Sequence, residues 1–512
     1  MAISNAQAHP RLPNPTSTMP WWRTQPHFLD EFRSSDTVPE LVDVAIIGSG
    51  IAGACTAYHL LSGQPGPEAG MTPTVAIFEA RQACSGATGR NGGHTRLTPL
   101  AIANYVVKYG PAAGLDFALF LKELMREMKA CAESITVSGH EGDGKNPATS
   151  DRTLAEECEM LATRSWDAFS DENQAVEVEA AWGKAVNDMR EIAKKEGREH
   201  DIDWLGEVQF LKGRYVENIT SIRGAKVATS CPALSLWPYK FVLGLLQHVV
   251  NLGVKLYTLT PVTCIERVSD SENASSLFST SAKGLTALHT PRGTTLARRV
   301  VFATNAYVSA LLPQYEKTII PGRGTACRIV RQPAAPSLAA ESGSIANTPN
   351  AEYTQLINTY NIHAGPSSKE YFNPRPDGSV ILGGGQPLYR DDKSAWYDMV
   401  DDGTLIDGVK ERWFEGYMGR HFRGWNRDGK DEGIDLVWTG IMGFTEDSWP
   451  HVGLVPGETD HFILAGFNGS GMASIFLVAR GIARMMRDGI SFEETGLPHV
   501  FKTVPERIKD AA

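Results

Sequence analysis

The sequence has few of the features that mark disulfide-rich, zinc-binding or membrane-spanning proteins. Its seven cysteines are odd in number and never paired in a CxxC spacing, so neither a disulfide framework nor a metal site is indicated. Residues 1–40 contain no continuous apolar run, which argues against a signal peptide or a membrane anchor. No basic stretch offsets the formal net charge of −10, which disfavours nucleic acid as a partner. We expect a cytoplasmic globular protein that binds no nucleic acid, membrane or metal, with its oligomeric state left open.

The composition is that of a large globular protein. The chain has 512 residues, of which 42% are hydrophobic and 49 are glycine. This length exceeds one compact core, so two or three interlocked units are expected. Residues 1–40 are rich in proline and are expected to form an N-terminal arm, held on the folded body by Trp21, Trp22 and Phe28.

A glycine-rich turn follows the first apolar segment. Residues 42–47 (VDVAII) are typical of a strand that is buried on both faces. In the order strand, glycines, helix, the first glycine permits a tight turn, the second lets the backbone approach a diphosphate, and the third lets the helix pack on the strand. The motif comprises Gly48, Ser49, Gly50, Ile51, Ala52 and Gly53.

An acidic residue ends the next expected strand, 75–79. There Glu79 can accept hydrogen bonds from both ribose hydroxyls of an adenosine. Because the motif lies between two apolar strands and an acid closes the second, it predicts a dinucleotide site.

The segment after Glu79 favours FAD over NAD. It is a loop of small residues whose backbone N–H groups can surround a second phosphate and reach a flavin ring, while arginine supplies charge. The cofactor-binding residues expected here are Ala80, Arg81, Ser85, Gly86, Thr88, Arg90, Asn91, Gly92, Gly93 and His94.

With SGATGRNGGH at 85–94, the sequence resembles the D-amino-acid-oxidase-like superfamily of FAD-dependent oxidoreductases, which includes sarcosine oxidase, glycine oxidase and γ-glutamylputrescine oxidase. It looks most similar to a fungal-type branch, over roughly residues 40–490. The resemblance implies that a strand in 254–262 carries Val262 to the adenine, and that a strand at 299–306 carries Ala303 and Thr304 past the cofactor. It also implies a strand at 461–466, a glycine turn beside the flavin ring and a helix at 473–488. The turn residues are Gly466, Asn468, Gly469, Ser470, Gly471 and Met472.

These segments predict a mixed α/β and α+β fold in which a discontinuous Rossmann-type FAD domain holds an inserted cap with a mixed sheet. Cap strands are expected at 325–331, 356–360, 370–373 and 380–383, with a hairpin turn at 376–378. The expected division is an arm at 1–40, the FAD domain at 41–105, 235–322 and 437–495, the substrate cap at 106–234 and 323–436, and a tail at 496–512.

The resemblance implies oxidation of a small amine substrate. In the family, the flavin removes a hydride from the carbon that bears the amine, the imine hydrolyses, and the electrons usually pass to dioxygen. The candidate catalytic residues are His94, Arg96, Tyr371 and Trp449, with Trp438 and Phe444 as further cavity walls.

Three departures from the family bear on function. Met442 stands where sarcosine-oxidase-type relatives attach flavin through cysteine, so the FAD is expected to be non-covalent. Ala473 replaces a lysine that binds a substrate carboxylate, and 380–383 (VILG) lacks the lysine that activates oxygen. Two alternatives stay open, a dehydrogenase of the same fold with another electron acceptor and a non-catalytic flavin-binding redox protein.

Overall fold

The computed structural model describes residues 10–62, 72–96, 98–137, 151–268, 284–332, 356–365 and 368–509. Residues 139–151 (GHEGDGKNPATSD) have the composition of an exposed loop, and they lie outside the described residues except for Asp151.

The strands of the described residues follow one another along the chain, and their bounds are these: β1 Leu41–Ile47, β2 Val75–Phe78, β3 His94–Arg96, β4 Thr136–Val137, β5 Arg152–Thr153, β6 Leu161–Phe169, β7 Gln209–Lys212, β8 Val227–Ser235, β9 Lys255–Tyr257, β10 Cys264–Arg267, β11 Thr286–Thr290, β12 Gly293–Phe302, β13 Ile320–Arg331, β14 Thr359–Gly365, β15 Ser368–Pro374, β16 Val380–Gly383, β17 Glu432–Phe444, β18 His451–Leu454 and β19 His461–Ala465. The α-helices are α1 Ile51–Ser62, α2 Pro99–Tyr109, α3 Pro111–Ser134, α4 Leu154–Glu157, α5 Glu172–Lys195, α6 Val216–Thr220, α7 Pro238–Asn251, α8 Tyr417–His421 and α9 Ile475–Asp488.

The first sheet is built around β1, whose apolar residues are almost all buried. This strand pairs in parallel with β2 and β12, and the parallel order continues to β9 on one side and β19 on the other. Helix α1 packs on both α7 and α9, and all three helices belong to the main hydrophobic core. Because β1, β2 and β12 are parallel, the residues that follow them meet at one edge of the sheet, the usual ligand-binding edge of such folds.

The second sheet has the order β17-β13-β16-β15-β14-β6-β8-β3, with β7 also paired to β8. Its strands are antiparallel to their neighbours except for β6 and β14, which are parallel. One face packs a separate core that includes Phe372, Phe414 and Phe422. Alternate residues of a strand point to opposite faces, so Tyr371 lies on the face opposite to Phe372.

Two segments expected in the FAD domain are strands of the second sheet. Strand β3 pairs with β8, and β17 pairs along its length with β13, which places 437–444 in this sheet. Strand β8 was not expected at all, because Pro232 and several small residues weaken its strand signal.

Other predicted elements occur with shifted ends. The segment 254–262 is a strand only at Lys255–Tyr257, and the last long helix begins at Ile475 rather than at Ala473. Strand β16 spans the expected residues, and 376–378 is a turn in which Gly378 has φ +80°.

The three aromatic residues of the arm differ in their exposure to solvent. Trp21 and Trp22 are buried, whereas Phe28 is 46% exposed. None of the helices in the described ranges is both long and apolar enough to cross a lipid bilayer.

Candidate functional site

A cavity of about 550 Å³ is lined from both sheets. Its walls include residues that follow β1, β2 and β12, together with residues of β3, β13, β15 and β17. The ligand-binding edge of the parallel sheet therefore opens onto one face of the second sheet.

The turn between β1 and α1 brings backbone close to the cavity. Gly48 has φ +107°, and a Cβ there would lie 2.6 Å from the carbonyl oxygen of Ala303, so only glycine fits. A Cβ at Gly53 would lie 1.9 Å from the carbonyl oxygen of Gly48, which explains the third glycine as a packing requirement. The N-terminus of α1 thus faces the cavity, where backbone N–H groups favour an anion.

Glu79 is held in place by the same turn. Its Oε2 accepts hydrogen bonds from the backbone N–H of Ser49 at 3.0 Å and from the Ser49 hydroxyl at 2.8 Å, while Oε1 accepts from the Arg81 N–H at 2.9 Å. These contacts fix the carboxylate at the cavity wall. Each carboxylate oxygen has further acceptor capacity for a ligand hydroxyl.

Two arginines of the cavity wall share one buried acid. Arg81 donates to both carboxylate oxygens of Asp402, at 2.8 and 3.0 Å, and Arg90 Nε lies 3.4 Å from the same carboxylate. Arg90 also donates to the carbonyl oxygens of Ser85 and Thr439, at 2.8 and 2.7 Å. Burial, reinforced by the charge of Arg81, lowers the pKa of Arg90 to about 10 despite the opposing effect of Asp402.

Several polar atoms along this wall fit a polar ligand. Within the described residues, Arg90 Nη2, Ser85 Oγ, Thr304 Oγ1 and Tyr307 Oη are buried without a hydrogen-bond partner, and all four side chains line the cavity. A buried polar group left unsatisfied costs roughly 1–3 kcal/mol, which a ligand with several acceptor oxygens can offset. The diphosphate and ribose groups of a dinucleotide have this chemistry.

The glycine turn after β19 forms another part of the lining. The Asn305 side chain accepts hydrogen bonds from the backbone N–H groups of Gly466 and Phe467, at 3.0 and 3.3 Å. The Asn468 side chain accepts from the N–H of Thr445 at 2.8 Å and donates to the Gly466 carbonyl at 2.7 Å. Because the side chains of Asn305 and Asn468 satisfy backbone groups of the turn and its neighbour, the shape of the turn is fixed before any ligand binds.

Tyr371 lies between two glycines at the cavity wall. A Cβ at Gly92 would lie 2.6 Å from its ring, and a Cβ at Gly383 would lie 1.9 Å from its Cζ, so both positions require glycine for this packing. The His94 ring centroid is 6.0 Å away at an interplanar angle of 76°. Burial raises the pKa of Tyr371 well above its usual value, which keeps its hydroxyl neutral.

Arg96 reaches the cavity from a buried ion pair. Its Nη1 donates to Asp167 at 2.7 Å, and the other carboxylate oxygen of Asp167 lies 3.0 Å from His363 Nε2. Burial acts to raise the pKa of Asp167, but the Arg96 charge and the His363 contact outweigh it and hold that pKa well below its usual range. Asp167 therefore stays ionised and balances the charge of Arg96.

Most of the residues predicted from sequence line this one cavity. Of the catalytic candidates, His94, Arg96 and Tyr371 are in the lining, as are Trp438 and Phe444. The predicted cofactor-binding residues in the lining are Gly48, Gly50, Ile51, Ala52, Glu79, Ala80, Arg81, Ser85, Gly86, Thr88, Arg90, Asn91, Gly92, His94, Val262, Ala303, Thr304, Asn468, Gly469, Ser470, Gly471 and Met472.

Five predicted residues lie behind the wall or away from it. Ser49, Gly53, Gly93 and Gly466 shape the turns but are not among the described lining residues, and neither is Trp449. Trp449 packs among aromatic rings of α2, α3 and the C-terminal segment, and its Nε1 donates to the Tyr109 hydroxyl at 3.0 Å. As a catalytic candidate, it is therefore the one that this geometry supports least.

Sequence reasoning missed lining residues that come from distant segments. They include Leu12, Pro13, Tyr307, Arg323, Asn361, Gln386, Tyr389 and Trp396. No local motif marks them. The arm residues are the least expected, because an irregular segment gives no periodic signal.

The group of potential metal ligands at Glu458, Asp460 and His461 lies on other elements, β19 and the turn before it. Arg267 donates hydrogen bonds to both carboxylates, so its guanidinium group is already the cation that pairs with them.

Comparison with known proteins identifies the family. The family model DAO, described as FAD dependent oxidoreductase, matches residues 43–485. No curated protein sequence matches the chain.

Several solved structures share the fold. Glycine oxidase from Geobacillus kaustophilus aligns with a TM-score of 0.60 at 18% identity, covering 91% of this chain and 99% of that one. L-proline dehydrogenase from P. horikoshii aligns with a TM-score of 0.59 at 16% identity, covering 89% and 95%. L-alpha-glycerophosphate oxidase from Mycoplasma pneumoniae, a structure with FAD bound, aligns with a TM-score of 0.57 at 13% identity, covering 88% and 95%.

These matches confirm the predicted family, fold class, enzyme class and cofactor, and the cavity described above fits that cofactor. The chain belongs to the DAO family of FAD-dependent oxidoreductases.

Proposed function

We propose that the enzyme oxidises the C–N bond of a small amine or amino-acid-like substrate to an imine and that dioxygen accepts the electrons. The observation that carries this proposal is the single cavity, which joins the glycine turn after β1 to a chamber lined by Tyr371, Tyr389 and Trp396. FAD, when bound, accepts the hydride that leaves the carbon next to nitrogen. Water then hydrolyses the imine to a carbonyl compound and ammonia or a smaller amine.

We assign the two ends of the cavity to the two halves of FAD. The turn after β1, Arg90 and Ser85 would hold the diphosphate, and Glu79 would hold the adenosine ribose with Val262 near the adenine. The glycine turn after β19 would hold the flavin ring. Because the thioether of Met442 cannot form the cysteine linkage of some relatives, the cofactor is non-covalent in this proposal.

The chamber has side chains that can orient an amine and keep it uncharged. Aromatic and apolar walls disfavour a charged ammonium group, so binding there lowers the pKa of the amine. Only a neutral amine nitrogen has the lone pair that assists departure of the hydride. Arg96 can donate hydrogen bonds to polar groups of the substrate, and His94 and Tyr371 can donate or accept them.

The arrangement of charge supports an amine over an α-amino acid bound by an ion pair. Among the described lining residues, every arginine already has a protein partner. Arg96 pairs with Asp167, and Arg323 donates to the Ala395 carbonyl at 2.7 Å and the Thr404 hydroxyl at 2.8 Å. Ala473, which lines the cavity, adds no cation.

Anaerobic reduction of the FAD-loaded enzyme tests the proposal. Flavin bleaching is followed by stopped-flow with primary and N-methylated amines, with the matching α-amino acids, and with alcohols and 2-hydroxy acids as controls. We expect amines to bleach the flavin and the rate to rise from mildly acidic to alkaline pH, as the bound amine becomes neutral. Bleaching by a hydroxy acid alone would contradict the C–N assignment and leave FAD binding intact.

A dehydrogenase that uses another acceptor is the second candidate. It is favoured by the absence of lysine from β16, Val380–Gly383, and by the fold shared with a protein titled L-proline dehydrogenase. Hydrogen peroxide measured per amine consumed under air separates the two: one equivalent supports an oxidase, and none supports the dehydrogenase. We place the enzyme in the cytoplasm, because all seven cysteines are free thiols, six of them buried.

A further inference from the structure

An irregular segment outside the family match forms part of the cavity wall. The match begins at residue 43, yet Leu12 and Pro13 are lining residues. We call residues 11–22 the strap. After the strap, the arm runs along the edge of the first sheet, where Ser34 exchanges hydrogen bonds with Leu256 of β9.

The strap is fixed to the segment that precedes β17. Arg11 forms ion pairs with Asp398 and Glu316, and the Asn14 amide donates to Asp401 at 2.9 Å. Since Arg11 and Asn14 flank Leu12 and Pro13 in sequence, these contacts fix the chain on either side of the two lining residues.

Thr18 joins the strap to the cationic wall. Its backbone N–H donates to the Asp402 carbonyl at 2.7 Å. Its hydroxyl donates to the same carbonyl at 3.0 Å and accepts from Arg90 Nη1 at 3.1 Å and the Thr439 N–H at 3.0 Å. One donor and two acceptors use the full capacity of a hydroxyl. Thr18 therefore helps to fix the guanidinium whose Nη2 has no partner among the described residues.

Two further contacts tie the strap to other cofactor-binding segments. The Asn14 carbonyl accepts from Arg81 Nη1 at 3.1 Å, and the Arg81 N–H in turn donates to Glu79. Trp22 Nε1 donates to the Asn91 carbonyl at 2.6 Å. Since Asn14 is linked to Glu79 through Arg81, Leu12 and Pro13 lie at the Glu79 end of the cavity.

From these contacts we propose that the strap is part of the FAD-binding site. Leu12 and Pro13 close the Glu79 end of the cavity, and Thr18 orients Arg90 toward the diphosphate. FAD cannot leave through that end until the strap detaches, so the strap sets the rate of FAD release. The inference depends on FAD binding and not on the identity of the oxidised substrate.

The test compares FAD release from full-length FAD-loaded variants, followed as the rise in flavin fluorescence after dilution. Thr18→Val keeps the shape of the side chain and the backbone hydrogen bond but removes the hydroxyl. Arg11→Ala with Asn14→Ala removes the anchors and leaves Thr18 unchanged. We expect release at least about tenfold faster in each, the factor that corresponds to one lost hydrogen bond with a charged group.

Val176→Ala is the control, because Val176 is exposed on α5, outside the strap and the cavity lining. Its release rate should stay within about twofold of the parent rate. Thermal unfolding of the apo and FAD-loaded forms distinguishes a strap from a purely structural arm. If the strap is part of the FAD-binding site, the strap variants show a smaller gain in midpoint on FAD binding than the parent protein. Release within about twofold of the parent for both strap variants would overturn the proposal, whatever the unfolding midpoints.

Discussion

Asp402 and Arg81 form a buried bidentate ion pair, with both guanidinium Nη atoms donating to the carboxylate at 2.8 and 3.0 Å. Arg81 follows β2 of the first sheet, whereas Asp402 lies between β16 and β17 of the second. The pair is also in contact with the strap, since the Asp402 backbone carbonyl accepts from Thr18. Through its carboxylate and its backbone carbonyl, Asp402 thus joins the two sheets and the arm beside the cavity.

Replacing Asp402 with asparagine should destabilise the apo-protein strongly. The variant leaves Arg81 and Arg90 buried without their shared counter-charge, and breaking a buried pair in this way costs about 3–5 kcal/mol. Urea unfolding of the apo-protein measures the loss. Asp188→Asn is the control, because Asp188 pairs with Lys184 on the exposed surface of α5 and should cost less than about 1 kcal/mol. Equal losses in the two variants would contradict the role of the pair.

Glu79→Ala should weaken FAD binding by roughly 2–3 kcal/mol, measured as the dissociation constant in a fluorescence titration. The carboxylate would hold the adenosine ribose, and it also fixes the turn through Ser49. Ser49→Ala separates these contributions, because it removes only the hydroxyl that donates to Glu79 and keeps the backbone N–H. The ribose assignment fails if Glu79→Ala binds FAD as tightly as the parent protein.

The dinucleotide end of the site could be predicted from sequence because its determinants are local. The positive φ of Gly48 and the contact of Gly53 with Gly48 belong to one strand–turn–helix unit, so these glycines can be interpreted at their own positions. The same holds for Glu79, which ends the next strand. The turn at 376–378 was predicted for a similar reason.

The substrate end could not be predicted because its contacts join residues far apart in sequence. Arg96 was a candidate, but its partner Asp167 lies on β6, and no local pattern marks it as charge-balanced. Gly383 appeared to be an ordinary strand end, although its lack of a Cβ admits the Tyr371 ring. The pairing of β17 with β13 had no sequence signal either, because strand pairing is a tertiary property.

FAD should be released into solution when the enzyme is denatured by acid or heat. Met442 lines the cavity, and its thioether cannot form the covalent link to flavin that a cysteine thiol can form. The protein is precipitated, and flavin absorbance is measured in the supernatant and the pellet. Flavin that remains with the washed polypeptide would show a covalent link and direct attention to His94 or a nearby cysteine.

Glu432 should make the protein less stable as pH rises from about 4.5 to 7. Burial raises the pKa of Glu432 from 4.5 to about 7. In that window the folded state holds a proton that the unfolded state has lost, so folding stability is present below the window and falls as pH increases through it. Glu432→Gln removes this titration.

Relative to the parent protein, Glu432→Gln should therefore gain about 1–2 kcal/mol between pH 4.5 and pH 8, a value discounted for partial solvent screening. Urea unfolding at both pH values measures the gain. Glu411→Gln, at an exposed position, serves as the control. A gain that is the same at both pH values would mean that Glu432 does not titrate in this window.

Arg96 and Trp449 should differ in their effect on flavin reduction, although both were catalytic candidates from sequence. Arg96 lines the cavity, and its planar guanidinium is held by Asp167; lysine keeps the charge but cannot reproduce that geometry. Arg96→Lys should lower the apparent second-order rate constant of anaerobic reduction by about tenfold or more, the effect of one misplaced hydrogen bond to a charged group. Trp449→Phe keeps the aromatic packing and loses only the hydrogen bond to Tyr109, so its rate constant should stay within about twofold of the parent value. Stopped-flow bleaching with the preferred amine measures both variants, and a larger loss in Trp449→Phe than in Arg96→Lys would reverse the assignment.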